Sequence, residues 1–169
     1  MVRIGFIAIV LLSMLRCTAP QEAPQLPAEP AVDAVELNRQ FLAKERERIE
    51  EFIAHNGFEN VQVLGSGVHK VPLAGLSDAA LFPGDGDKVA FSYLVKLMSG
   101  NLVRKGTDTV QLGKTSIEVG LYESLVNMSP GESALFIVPS YLAGGVAGDL
   151  ENIPPRATLL YELEMHNLK

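Results

Sequence analysis

Residues 128–164 read MSPGESALFIVPSYLAGGVAGDLENIPPRATLLYELE, and this stretch decides the fold. Ser129-Pro130-Gly131 is a turn signature, because proline presets φ and glycine accepts backbone conformations that other residues avoid. Ser133 to Val138 reads as a strand apolar on both faces, which predicts a central position in a sheet. The Gly-rich segment from Pro139 to Pro155 is long for a connection inside a compact domain; segments of that kind usually carry function, and it reads as a flap over a pocket. Beyond it, Ala157, Leu159, Tyr161, Leu163 and Met165 recur at alternate positions, the pattern of a strand with one buried face.

Upstream, the same grammar repeats. Gly84-Asp85-Gly86-Asp87 is a turn, followed by a strand in which Val89, Phe91, Tyr93, Val95 and Leu97 face one way while Ala90, Ser92, Leu94 and Lys96 face the other. Ser99-Gly100 reads as a hairpin turn into a short strand, Asn101 to Val103. A further strand is expected from Asp108 to Leu112, ending at Gly113-Lys114, and a short helix from Ile117 to Met128. Val61 with Val63, and Val68 to Val71, suggest two short strands around Gly65-Ser66-Gly67. Five or six antiparallel strands with one short crossing helix make an α+β roll. A one-residue slip in either long strand would turn its aromatics outward, so the register is well specified.

Before these strands, residues 33–57 carry helical spacing. Asp33 followed by Glu36 resembles a capping box, Leu37, Phe41, Ile49, Phe52 and Ile53 form the apolar stripe, and Asn56-Gly57 supplies the stop. Arg39, Lys44, Glu45, Arg46, Glu47, Arg48, Glu50 and Glu51 are read as the solvated faces of this amphipathic helix. The stripe is expected to pack on its own domain rather than on a second copy.

Composition excludes several classes. The chain has 169 residues, is 47% apolar and 20% charged, and carries a net charge of −6. No basic run of five or more residues is present, which argues against nucleic acid as a partner. The one cysteine, Cys17, follows Arg3 and an apolar run from Ile4 to Leu15. That run is too short to span a bilayer, which takes roughly 20 residues, but it suits the core of a secretory signal. A Pro/Ala/Glu/Gln stretch from Thr18 to Val32 follows, too poor in apolar surface to fold. This layout resembles a bacterial lipoprotein, implying acylation at Cys17; cleavage near Ala19 and retention as an uncleaved anchor are the competing readings, since Arg16 stands where a small residue is usual. The expected organisation is a signal segment (1–17), a flexible tether (18–32), the amphipathic helix (33–57) and a folded domain (58–169).

With these elements in order, residues 84–165 resemble the FKBP-type peptidyl-prolyl isomerases. Gly86-Asp87-Lys88-Val89 through Tyr93, Leu97 and Ser99-Gly100 match that family's opening strand; Leu112-Gly113 and Ile117 to Leu121 match its L-G…V-I-x-G-W segment. Met128 to Glu132 matches M-x-x-G-E, and Ile153 to Leu159 matches I-P-P-x-A-T-L. The upstream charged helix and the lipoprotein-like start are similar to gliding-motility-associated members of the family. The resemblance implies an antiparallel half-barrel wrapped around a short helix, and an isomerase that needs no cofactor, metal, nucleophile or acid–base pair.

It also implies a site. Tyr93, Ile117, Ile153 and Tyr161 stand where the family places its tyrosine, valine, isoleucine and phenylalanine pocket residues, and Val103 and Val110 stand at two phenylalanine positions. Leu121 replaces a tryptophan floor, Arg104 an aspartate, and Gly144 a flap tyrosine; Glu118 replaces an isoleucine whose backbone N–H holds the substrate carbonyl. Arg104 and Glu118 can pair across the pocket mouth, although two separate surface charges are the simpler reading. His55, His69 and His166 lack ligand spacing, and the glycines around Gly144-Gly145 fit no nucleotide-binding pattern. Two functions follow as expectations: an envelope isomerase acting on proline-containing segments of exported proteins, or a binding or chaperone module that has kept the fold and lost turnover.

Overall fold

The computed structural model describes residues 33–74, 81–145, 147–149 and 151–168, so the signal, Cys17 and tether readings lie outside the described residues. In chain order the elements are α1 (Ala34–Asn56), β1 (Gln62–Val63), β2 (His69–Ala74), β3 (Lys88–Leu97), β4 (Leu102–Gln111), α2 (Val119–Leu125), β5 (Ser133–Val138), a 3-10 turn (Ser140–Leu142) and β6 (Leu159–Leu168). The six strands form one sheet in the order β1-β2-β5-β6-β3-β4, every pairing antiparallel.

Alternation explains how the sheet is covered. Val89, Phe91 and Val95 of β3, Phe136 and Val138 of β5, and Leu159, Tyr161, Leu163 and Met165 of β6 point to one face, where Leu125, Leu121 and Tyr122 from α2 pack on them. The opposite residues Val71, Leu135, Ile137 and Leu160 meet Ile49, Phe52 and Ile53 of α1. Helices therefore cover both faces of the central strands, which is why β5 is apolar and buried from Ala134 to Val138. Packing of α1 on its own domain follows the expectation from sequence.

The caps follow local chemistry. Asp33 accepts a hydrogen bond from the Val35 N–H at 3.0 Å, and Gly57 takes φ +65, donating to Ala54 while Phe58 donates back to Ile53. Glu36 does not complete a capping box; Arg39 and Gln40 hold its carboxylate.

Four expectations are corrected. Leu37, assigned to the apolar stripe, is 51% exposed, whereas Glu45, assigned to a solvated face, is only 2% exposed. The reason is polar satisfaction: Glu45 accepts hydrogen bonds from the Ser140 N–H (2.8 Å), the Ser140 hydroxyl (3.1 Å) and the Thr158 hydroxyl (2.7 Å). The strands expected at Asn101–Val103 and Asp108–Leu112 are the two ends of one continuous ten-residue strand, β4 (Leu102–Gln111), with Asn101 and Leu112 just outside it. The crossing helix is shorter than Ile117–Met128, because Glu118 is its N-cap and Val126 its C-cap.

Candidate active site

Strand register brings the central residues together before any loop is considered. Val95 of β3 pairs with Arg104 of β4 on one side and with Tyr161 of β6 on the other, so these three lie in one row across the sheet. Two residues back along β3, Tyr93 pairs with Gly106, and two further back Phe91 pairs with Asp108. The Tyr93 ring lies across Gly106: a Cβ there would stand 2.9 Å from the Tyr93 hydroxyl. Phe91 and Tyr93 meet at a centroid distance of 6.0 Å, tilted by 44°.

The segment entering α2 closes this surface into a cavity of about 290 Å³, lined by Phe91, Tyr93, Val95, Arg104, Asp108, Ser116, Ile117, Glu118, Leu121 and Tyr161. The volume is near the lower end for sites that enclose small ligands. Of the residues expected from sequence, Tyr93, Arg104, Ile117, Glu118, Leu121 and Tyr161 line it together.

Val103, Val110, Ile153 and Gly144 do not line it. Val110 and Ile153 are buried in the core on the same face of the sheet, and Val103 packs against that core. Val103 is the extra residue of a β-bulge, because Val95 pairs with Arg104 while Lys96 pairs with Leu102. At Gly144 a Cβ would meet the Gly148 Cα at 3.2 Å and Ile153 Cγ2 at 3.3 Å, so the loop folds onto itself there. Gly148 needs both its φ of +68 and its missing side chain, since a Cβ would lie 2.0 Å from the Ile153 carbonyl.

The described part of the loop that was expected to form the flap is placed by the same packing. None of the described residues of the loop lines the cavity. Glu45 instead ties down its start at Ser140 and the strand approach at Thr158. Within the loop, Asp149 Oδ1 accepts the N–H groups of Glu151, Asn152 and Ile153. These bonds, that from Ile153 foremost, hold the Asp149 carboxyl below its ordinary range.

The cavity is not wholly apolar. Arg104 Nη2 stands 2.7 Å from Glu118 Oε2 and 3.4 Å from the Tyr161 hydroxyl. That hydroxyl also donates to Glu118 Oε2. Arg104 and Glu118 are thus an ion pair and not separate surface charges. Burial pushes the Tyr161 phenol up, and the Glu118 carboxylate beside it pushes it further, so it stays a donor. Burial works against the Arg104 charge, but the bond to Glu118 and its charge outweigh it, and the guanidinium is held above its usual range.

Phe91, Val95, Asp108 and Ser116 were not expected at the site. The period-two signal that grouped Phe91 and Val95 with Tyr93 was sufficient to find the first two. Asp108 was hidden because β4 was read as interrupted; continuous alternation from Arg104 reaches it through Gly106. Ser116, in the connection before α2, carries no periodic signal.

A larger groove of about 550 Å³ lies between α1 and the β1–β2 turn, lined in part by Leu42, Ile49, Val63, His69 and Tyr141. Its walls share no residue with the smaller cavity. Burial lowers the His69 pKa, leaving a neutral ring there.

Comparison with known proteins agrees with this geometry. The sequence profile of the FKBP-type peptidyl-prolyl cis-trans isomerases matches residues 80–166. FK506-binding protein 1A of Emericella nidulans is 34% identical over 93 residues, covering 52% of this chain and 86% of that protein. Human peptidyl-prolyl cis-trans isomerase FKBP10 is 32% identical over 93 residues, covering 50% of this chain and 16% of that much longer protein. Among solved structures, FkpA from Escherichia coli superposes with a TM-score of 0.63 at 24% identity, over 80% of this chain and 62% of that one. A peptidyl-prolyl cis-trans isomerase from Pseudomonas syringae gives 0.62 at 22% identity, over 75% of this chain and 95% of that one. A family profile spanning half the chain, and a six-stranded antiparallel sheet whose Tyr93 and Tyr161 meet Ile117 and Leu121 from the α2 segment around one cavity, lead to one assignment: the chain belongs to the FKBP-type peptidyl-prolyl cis-trans isomerase family.

Proposed function

We propose that this chain catalyses cis–trans isomerisation of X-Pro bonds in exported proteins and is held at the bacterial envelope by a lipid on Cys17. The observation that carries the catalytic part is the cavity walled by Tyr93, Phe91, Val95, Ile117 and Leu121. Rotation about the peptide bond faces about 18–20 kcal/mol because resonance favours the planar, charge-separated form. Twisting removes that charge separation, so transfer from water to an apolar wall favours the twisted state over the planar one. A millionfold acceleration requires about 8 kcal/mol, which desolvation and shape complementarity together can supply. The backbone N–H of Glu118, at the mouth of α2, is the group that would hold the preceding carbonyl; its side chain is engaged with Arg104 and Tyr161.

The localisation part rests on the order of apolar run, cysteine and Pro-rich stretch at the N-terminus. Among the described residues no helix is long and apolar enough to cross a membrane, so an anchor would come from the segment around Cys17. Prolyl isomerisation takes tens to hundreds of seconds uncatalysed, which makes a catalyst useful to newly exported chains.

One observation favours a second reading, a binding or chaperone module of an envelope assembly. The Arg104–Glu118–Tyr161 network puts an ion pair and a phenol into the wall, which lowers the gain from desolvation.

Refolding of a proline-limited protein tests the first reading. At micromolar levels the chain should accelerate the slow phase, and Leu121→Asp should lose most of that effect; an unaccelerated slow phase would leave only the binding module. Incorporation of a palmitate analogue that disappears in Cys17→Ser tests the anchor.

A further inference from the structure

We infer that this site prefers polypeptide segments with a lysine or arginine close to the proline, and that the Asp108 carboxylate sets the preference; this rests on the isomerase site proposed above. The β3–β4 pairing gives the cavity a linear order. Arg104 opposite Val95 marks one end, Gly106 opposite Tyr93 the middle, and Asp108 opposite Phe91 the other end.

The two charged ends differ. Arg104 is neutralised within the protein by Glu118 at 2.7 Å. Asp108 has no ion pair among the described residues; its Oδ1 accepts only the neighbouring Thr109 N–H, at 2.6 Å. Asp108 is exposed at the rim, where a bound chain can reach it.

Arg104 does not cancel it, because its own charge is taken up by Glu118 at 2.7 Å. Along the strand the two backbone positions stand about 13 Å apart. The Asp108 end therefore presents one uncompensated negative charge. Tyr93, Ile117 and Leu121, with Val95 and Phe91 toward the two ends, form the surface suited to a prolyl ring. From a proline at the middle, Asp108 is roughly two extended residues away at about 3.3 Å each, within reach of a lysine or arginine stem. The net charge of −6 over the whole chain acts in the same direction, favouring approach of cationic segments.

The test uses the full chain and labelled peptides built on a central Leu-Pro, with lysine, glutamine or glutamate placed one or two residues to either side. Dissociation constants come from fluorescence anisotropy, and cis–trans exchange of the same peptides from NMR line shapes. In at least one position lysine should bind about two- to fivefold tighter than glutamine, the range of an exposed ion pair, with glutamate weaker still. Asp108→Asn should bring the lysine-to-glutamate ratio close to one, and Asp108→Lys should invert it. Equal binding of lysine and glutamate peptides by the parent, or a preference that survives Asp108→Asn, overturns the inference. Lysine-preferring binding without accelerated exchange supports it while removing the isomerase reading. Accelerated exchange without preference does the reverse, and absence of any peptide binding overturns both.

Discussion

The Tyr161 hydroxyl donates to the Glu118 carboxylate, joining β6 to the start of α2 across 43 residues of sequence. Arg104, from a third element, approaches both, so one buried phenol and one ion pair fix the relative placement of β4, β6 and α2 at the cavity wall.

Tyr161→Phe removes the phenol while leaving the ring that fills the core. The wall becomes more apolar, and the Arg104–Glu118 pair remains. Turnover of a Leu-Pro peptide should rise by about two- to tenfold, a barrier change of up to about 1.4 kcal/mol. Steady exchange rates from NMR decide it; an unchanged or lower rate in a folded variant would mean that the hydroxyl assists the reaction.

Glu45 is the buried acid that ties α1 to the loop. Glu45→Ala strands the Ser140 N–H and hydroxyl and the Thr158 hydroxyl without their acceptor. We expect a loss of about 3 kcal/mol from leaving buried donors unsatisfied, read from denaturant midpoints. Amide hydrogen exchange at Ser140 and Leu142 should speed up more than exchange in β3.

Gly120 lets α2 lie directly on β5. A Cβ there would stand 2.3 Å from Val138 Cγ1 and 2.9 Å from the Leu142 carbonyl oxygen. Backbone cannot yield as a flexible side chain does, so Gly120→Ala should cost about 1–3 kcal/mol through overpacking. Because Glu118 and Leu121 flank this position, the variant should also change the cavity. Thermal unfolding reports the first effect and peptide affinity the second.

Asp149 gives a pH signature. Its carboxyl is held below the ordinary value of 3.8 by N–H donors, Ile153 first. A folded-state pKa below the unfolded one means that the carboxylate stabilises the loop at pH above 3.8 and that this contribution is lost as pH falls through the lower, folded value. An NMR titration should show the Glu151, Asn152 and Ile153 amides shifting together with a midpoint below 3.8, and no such step in Asp149→Asn. A midpoint above 3.8 would show that the three donors do not hold the carboxylate in solution.

The long strands β3 and β6 with their buried faces, the turns and the helix with its Asp33 and Gly57 caps were legible in the amino-acid order, because period-two and helical spacing, turn residues and caps act between near neighbours; β4, mostly exposed and polar, was not legible as one strand. The matched motifs carried the family and six of the cavity residues. Tertiary structure alone decided the remainder. Glu45 belongs by sequence to a solvated face, and only the donors at Ser140 and Thr158, 95 and 113 residues away, make its burial favourable. The bulge at Val103 depends on the pairing of two strands, not on either strand by itself. Arg104, Glu118 and Tyr161 come from three elements, and their charges and hydroxyl meet only once the sheet has set its register; such contacts leave no periodic trace in a chain, because their partners are chosen by distance in space.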